Sequence, residues 1–270
     1  MKSLQAQEIL KGLKTKSFGR SLLCLGRVTS TNDVLMELAG QAASEGTVVS
    51  AEFQTQGRGR QGRSWTTSEG KALAFSLLLR PNLRTDEFPE ITLAAAVAVA
   101  KTLEDFHFWP KIKWPNDLLL DGKKVCGILT EMVPKKDKMA GVVLGIGVNL
   151  NQSPTDFPKE IRAVATSLFR QSGRKIHRGR FFQKLLFRLE ETYQWVAERR
   201  YSKVLSEWRK RSVTLGQQAK ITQGQHVFFG QVLDLDEKGA LLVRNDLGMV
   251  ERVTSGDVET LSGEKAGRHK

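Results

Sequence analysis

The chain has 270 residues, 40% of them hydrophobic, and its 42 Lys and Arg against 29 Asp and Glu give a net charge of +13. That length accommodates one sizeable domain and a small one. No apolar run approaches the roughly 18 residues of a membrane span and no signal peptide is recognisable, so a cytoplasmic protein without a membrane partner is expected. The cysteines Cys24 and Cys126 lie in apolar runs and His107, His177, His226 and His269 are scattered, which argues against a disulfide scaffold or a histidine metal centre.

In chain order, residues 1–20 read as a short helix running into a first strand, SLLCLGRV. Ser30-Thr31-Asn32-Asp33 then opens an amphipathic helix, with Ser30 or Thr31 as N-cap and Asp33 in the first turn. A helix N-terminus also presents free N–H donors to a ligand. Between strand-like runs at 46–53 and 71–79 lies Gln54-Thr55-Gln56-Gly57-Arg58-Gly59-Arg60-Gln61-Gly62-Arg63-Ser64-Trp65. Its glycines match G-x-G-x-x-G, but no helix follows and no acidic residue lies about 20 positions on, so a dinucleotide site is rejected. The loop offers freed backbone N–H groups, three guanidinium forks suited to phosphate or carboxylate, and the Trp65 ring for a purine. A solvated arginine loop remains the alternative.

A buried helix is expected over about 89–106, because ITLAAAVAVA is apolar all round. Next comes Lys113-Trp114-Pro115-Asn116-Asp117, then Gly122-Lys123-Lys124-Val125-Cys126-Gly127-Ile128-Leu129. Pro115 keeps Trp114 out of the α region, and Asn116, Asp117, Asp121 and Gly122 favour turns. Cations, an amide and carboxylates are thereby gathered on a hairpin beside a strand. Strands are expected near 112–120, 125–133 and 140–149, the last ending in Gly145-Ile146-Gly147-Val148-Asn149, whose paired glycines permit a close approach or form a bulge. Phe181 to Val196 has helical period. So has 201–208, with Tyr201, Val204, Leu205 and Trp208 on one face. After Ser212 short strands punctuated by glycine predict a small SH3-like barrel. The tail GEKAGRHK reads as disordered.

Strands that alternate poorly with helices predict an α+β fold, a mixed β-sheet with packed helices plus the small C-terminal barrel. Residues 213–270 carry 7 basic against 8 acidic residues, so the positive charge belongs to 1–212. Its dense patches at 170–180 and 199–211 suit nucleic acid, ATP or an acidic partner, or are simply solvated.

Together, in this order, the four motifs resemble biotin protein ligase, from about Ile9 to Leu261. The resemblance implies a class II synthetase-like catalytic domain (1–212), an SH3-like C-terminal domain (213–262) and a tail (263–270). It implies activation of biotin by ATP as biotinyl-5′-AMP and transfer to a lysine of a biotin carboxyl carrier domain. It further implies biotin contacts from Ser30, Thr31, Asn32, Gln54, Gly57, Arg58, Arg60, Lys124, Gly127, Gly145 and Gly147, and adenylate contacts from Arg58, Arg60, Trp65, Asn116, Lys124 and Asn149. Lys124, Arg58 and Asp117 are the catalytic candidates, Asp117 as a candidate base. Gln61 departs from members with another arginine there, which leaves the loop less charged. Mg²⁺ is expected on the triphosphate, with no metal ligands from the protein alone. No P-loop string is present, so ATP is held differently. The resemblance admits a homodimer. The twenty or so residues before the first strand leave no room for the helix-turn-helix of transcription-repressing members, so no specific DNA partner is expected. The rivals are a lipoate or octanoate ligase or transferase of similar fold, and a non-catalytic nucleic-acid-binding protein.

Overall fold

A seven-stranded sheet, in the order β1-β2-β3-β7-β6-β5-β4, organises residues 22–148. It comes from a computed structural model that describes residues 3–135 and 138–261. The strands are β1 (Leu22–Val28), β2 (Val48–Gln54), β3 (Leu73–Leu79), β4 (Lys111–Lys113), β5 (Asp117–Leu120), β6 (Lys123–Lys135) and β7 (Lys138–Val148). β1 and β2 pair in parallel across the helix between them, and every other pairing is antiparallel. The sheet is therefore mixed. The run expected as one strand at 112–120 is two strands, because Trp114-Pro115-Asn116 turns the chain back on itself. The residues expected to form a disordered tail lie outside those described.

Among the described residues six helices accompany the sheet: α1 (Ala6–Lys11), α2 (Thr31–Gly40), α3 (Pro89–Asp105), α4 (Leu168–Ser172), α5 (Arg178–Ala197) and α6 (Tyr201–Arg209). α3 is Ala- and Val-rich because it is enclosed, packing on both α5 and α6. The alternating side chains Leu73, Phe75, Leu77 and Leu79 of β3 join that large core. On the opposite face α2 is the one helix among the described residues that packs, seating Leu35 and Ala39 on Val49, Leu78, Val133 and Val143. One helix cannot cover that whole face, so part of the sheet stays open.

Five more strands form a separate antiparallel sheet: β8 (Gln218–Gln223), β9 (His226–Leu235), β10 (Leu241–Asn245), β11 (Val250–Val253) and β12 (Asp257–Thr260), in the order β11-β10-β9-β8-β12. Trp114 ties the two sheets together. It is 2% exposed, and its backbone N–H donates to Thr214 Oγ1 at 3.0 Å and its indole N–H to the Gly239 carbonyl at 3.1 Å. The basic run at 199–211 is largely ion-paired, with Arg199 on Glu87, Arg209 on Asp234 and Arg211 on Glu104 and Glu207. Tyr201, Val204, Leu205 and Trp208 are buried as the periodicity predicts.

Candidate active site

The open part of the sheet is floored by small residues. Ala74 pairs with Gly147, Ser76 with Gly145, and Gly127 with Gly147, all on one face because strand side chains alternate. A side chain at Gly145 would overlap Asn32, and one at Gly147 would overlap the Trp65 ring. A cavity of about 810 Å³ stands on this floor.

The N-terminus of α2 forms one end of it. Ser30 caps the helix, its hydroxyl accepting from the Asn32 N–H. Thr31 donates its backbone N–H to Gln54 Oε1 at 2.8 Å and its hydroxyl to the same oxygen at 3.1 Å. The free N–H donors expected at Thr31 and Asn32 are thus already satisfied within the protein, so this end offers side chains to a ligand instead. The Ser76 hydroxyl lies 2.7 Å from Thr31 Oγ1 and also bonds Asn32 Oδ1. Ser30, Thr31, Asn32 and Gln54 are all buried, and an unpaired polar group in such a place would be costly.

The arginine loop roofs the cavity. Trp65 N–H donates to the Gly57 carbonyl at 2.8 Å and Gly59 N–H to the Arg63 carbonyl at 2.6 Å, so the loop folds as a tight hairpin. Gln61 at φ 53° and Gly62 at φ 73° make the reversal. Gly57 does not line the cavity, contrary to its expected ligand role. A side chain there would strike the Trp65 carbonyl, so the glycine serves the fold of the loop. The three arginines grip different parts of the fold. Arg58 pairs with Asp33 of α2 and, at 2.9 Å, with Glu131 of β6. Burial works against its charge, but the two carboxylates outweigh that and raise its pKa. Arg60 donates to Asn116 Oδ1 at 3.3 Å, and burial lowers its pKa against the pull of Asp257 and Asp117. Arg63 pairs with Asp257 of β12.

The third wall is the β4–β5 hairpin and the start of β6. Asn116 donates its amide to the Ile128 carbonyl at 2.8 Å and accepts from Arg60, so its orientation is fixed. The Lys124 ammonium lies 2.7 Å from Asp117 Oδ1 and 5.9 Å from the centre of the Trp65 ring. The Lys124 backbone is held by Val164 and Thr166, through N–H···O bonds of 2.8 and 2.9 Å. Trp65 lies on Gly127 and Gly147, and its buried indole N–H has no protein partner among the described residues. Asn149 is 4% exposed and accepts from Gln152 Nε2 at 2.7 Å.

Every expected ligand residue except Gly57 therefore lines one cavity. Reading the sequence missed Phe157, Ile161, Val164 and Ala165, which close one side, and Asp257, Val258 and Glu259 of the C-terminal sheet, which close another. It also missed Ser76 and Glu131. Alternation in β3 and β6 marks these two as facing the α2 side of the sheet, but nothing local marks what they meet. Chemically, the arrangement sets two ammonium groups (Lys113 and Lys124), three guanidinium groups (Arg58, Arg60 and Arg63) and several fixed amides around an apolar-floored space, which suits an acid joined to a phosphate.

Residues 25–149 match the biotin/lipoate A/B protein ligase family and residues 214–261 the biotin protein ligase C-terminal domain. The bifunctional ligase/repressor BirA of Bacillus subtilis is 38% identical over 257 residues, 95% of this chain and 79% of that protein. The biotin–[acetyl-CoA-carboxylase] ligase of Mycobacterium tuberculosis is 33% identical over 249 residues, 88% of each chain. The structure superposes on biotin protein ligase from Aquifex aeolicus in complex with biotin and ATP with a TM-score of 0.78, at 32% identity, over 89% of this chain and 98% of that one. Motifs, cavity and relatives agree, and the chain belongs to the biotin protein ligase family.

Proposed function

We propose that this chain activates biotin with ATP as biotinyl-5′-AMP and transfers the biotinyl group to a lysine of a biotin carboxyl carrier domain. In the first step a biotin carboxylate oxygen attacks the α-phosphorus and pyrophosphate leaves. In the second, the target lysine amine attacks the acyl carbon, AMP leaves with the bridging oxygen, and the amine gives up its proton. Neither step requires a covalent nucleophile from the protein. The barrier is an anion approaching a polyanion, so positioning and fixed positive charge do the catalysis.

The convergence of Lys124, Arg58 and Arg60 on one small-residue floor carries this reading. The bicyclic acid would lie over Gly127, Gly145 and Gly147, bounded by Ser30, Thr31, Asn32 and Gln54. Its carboxylate would point to Lys124, and the nucleotide would lie between Trp65, Asn116 and Asn149. Asp117 is engaged by Lys124, which favours a role in aiming the ammonium over a role as base. Mg²⁺ would arrive on the triphosphate and there offset phosphate charge. The cationic donor set suits such a substrate, and among the described residues no cluster of His, Cys, Asp and Glu is placed to hold an ion. Two free thiols and the demand for ATP fit a cytoplasmic setting. Among the described residues no helix is long and apolar enough to cross a membrane.

The test is pyrophosphate release with biotin, lipoate or octanoate as the acid, together with mass spectrometry of the protein after incubation with ATP. Biotin alone should drive release and leave a retained biotinyl-adenylate. Release driven by lipoate instead would transfer the assignment to the lipoate branch of the family.

A further inference from the structure

Glu131 lies outside the cavity yet touches both of its halves. It stands on β6 opposite Val143, on the same face as Gly127 and Leu129. One oxygen, Oε2, accepts from Asn32 Nδ2 at 2.6 Å and from Arg58 Nη2 at 2.9 Å. Asn32 is 3% exposed, its amide oxygen bonds Ser76, and its side chain lies against Gly145. The orientation of that amide is therefore dictated from both ends, oxygen toward β3 and nitrogen toward β6. A continuous polar chain runs from Gln54 through Thr31, Ser76 and Asn32 to Glu131 and Arg58. The first four belong to the acid-binding end of the cavity and the last to its roof.

We propose that Glu131 is the positioning residue that holds Arg58 over the cavity mouth and couples it, through Asn32, to the acid-binding end. This rests on the ligase reading of the site. The Arg58 side chain is 40% exposed, so water could serve its charge, and without fixed carboxylates it would be free to swing away from the cavity mouth. Glu131 and Asp33 supply that charge from two directions and keep the loop folded down on the floor. Only one of the two carboxylates also holds Asn32. Displacement of the Asn32 amide by a bound acid would therefore be felt at Arg58 through a single shared oxygen, whereas among the described residues the Asp33 carboxylate meets Arg58 alone. Coupling of this kind needs a contiguous run of polar contacts, and the Gln54-to-Arg58 chain supplies one, with its donor and acceptor roles fixed at the Asn32–Glu131–Arg58 end.

Glu131→Gln separates the two contacts. Its amide oxygen still accepts from Asn32, but the charge that holds Arg58 is gone. Glu131→Ala loses both. For Glu131→Gln the expected result is a biotin dissociation constant within about twofold of the unmutated protein, with retention of the adenylate shortened about tenfold, a change worth some 1.4 kcal/mol. Glu131→Ala should weaken biotin binding as well. The decisive readout is non-additivity: in an Arg58→Ala background Glu131→Gln should change adenylate half-life by less than about twofold. A purely structural role for Glu131 would lower the melting temperature but leave its effect undiminished in that background. Full retention in Glu131→Gln, or an effect that adds in full to Arg58→Ala, overturns the proposal, and the glutamine variant decides even if the alanine variant does not fold. Biotin-dependent pyrophosphate release by the unmutated protein is measured alongside. Its absence would overturn the ligase reading, and this proposal with it, whereas normal release with an unaltered Glu131→Gln overturns this proposal alone.

Discussion

Lys124 Nζ and Asp117 Oδ1 lie 2.7 Å apart, each on a different strand of the hairpin stack, and both face the cavity. A bulge between Leu118 and Leu119 shifts the register of β5 against β6, so that Asp117 stands opposite Gly127 rather than beside a bulky neighbour. That leaves room for the lysine chain to cross and reach the carboxylate.

Replacing Lys124 by alanine should cut adenylate formation by about a hundredfold or more, equivalent to about 3 kcal/mol of transition-state stabilisation. The ammonium is partly exposed and its ion pair adds little to stability, so the melting temperature should hold. Pyrophosphate release and circular dichroism on the same preparation check this. A folded Lys124→Ala protein with near-normal release would remove Lys124 from the chemistry.

Arg58→Gly should allow biotinyl-AMP to escape. The loop would lose its ties to α2 and β6 and shield the anhydride less. Biotinylation of bystander lysines on serum albumin should rise several-fold over the unmutated enzyme. An unchanged signal would mean that the loop does not retain the intermediate.

Gly147→Ala adds one methyl group where Trp65 already sits. The ring must move or the floor must rise, and overpacking of this kind costs about 1–3 kcal/mol. Biotin affinity should fall at least tenfold, with ATP binding affected through Trp65. Calorimetric titration with biotin gives the answer, and unaltered affinity would place the acid elsewhere.

Glu90 opens α3 beneath the C-terminal sheet. Burial, and then Glu87, push its carboxyl up to about 7, with Asp86 adding to the rise and Arg199 and Lys238 opposing it. A carboxyl raised in the folded state favours folding when protonated. Its contribution is therefore complete below its unfolded pKa and is lost as pH rises from about 4.5 to about 7. Glu90→Gln should flatten that limb and stabilise the protein at pH 8 by about 3 kcal/mol. Thermal melts of both proteins at pH 5 and pH 8 test the sign: the two curves should converge at the lower pH and separate at the higher.

The parts of the site legible in the sequence were those made by chain-local chemistry. A proline after Trp114, glycines alternating with arginines, and paired glycines closing β7 each restrict the backbone in ways few core segments need, so they stand out. What stayed hidden was made by distance. Glu131 reads as an ordinary strand residue, and only its meeting with Asn32 and Arg58 gives it meaning. Asp257 lies 194 residues from Arg63. Phe157 to Ala165 carries no motif, because it closes the cavity with scattered apolar side chains and holds Lys124 through the Val164 carbonyl, a backbone bond that any sequence of suitable shape can make. Trp114 announced itself as part of a site motif but is spent on structure, its ring buried against the C-terminal sheet. Of the donors expected open at the start of α2, that of Thr31 is taken by Gln54, from another strand, and that of Asn32 by the Ser30 cap.

Trp114 has one more effect, on how the protein should fail when heated. Two and three residues further on, Asn116 and Asp117 line the cavity, while its indole is hooked to the Gly239 carbonyl between β9 and β10. Loosening of that sheet would reach the active hairpin within two residues. Activity should therefore decay at the temperature at which the C-terminal sheet first opens, ahead of the main cooperative melt, and the C-terminal fifth of the chain would set the working temperature of an enzyme most of whose site it does not form.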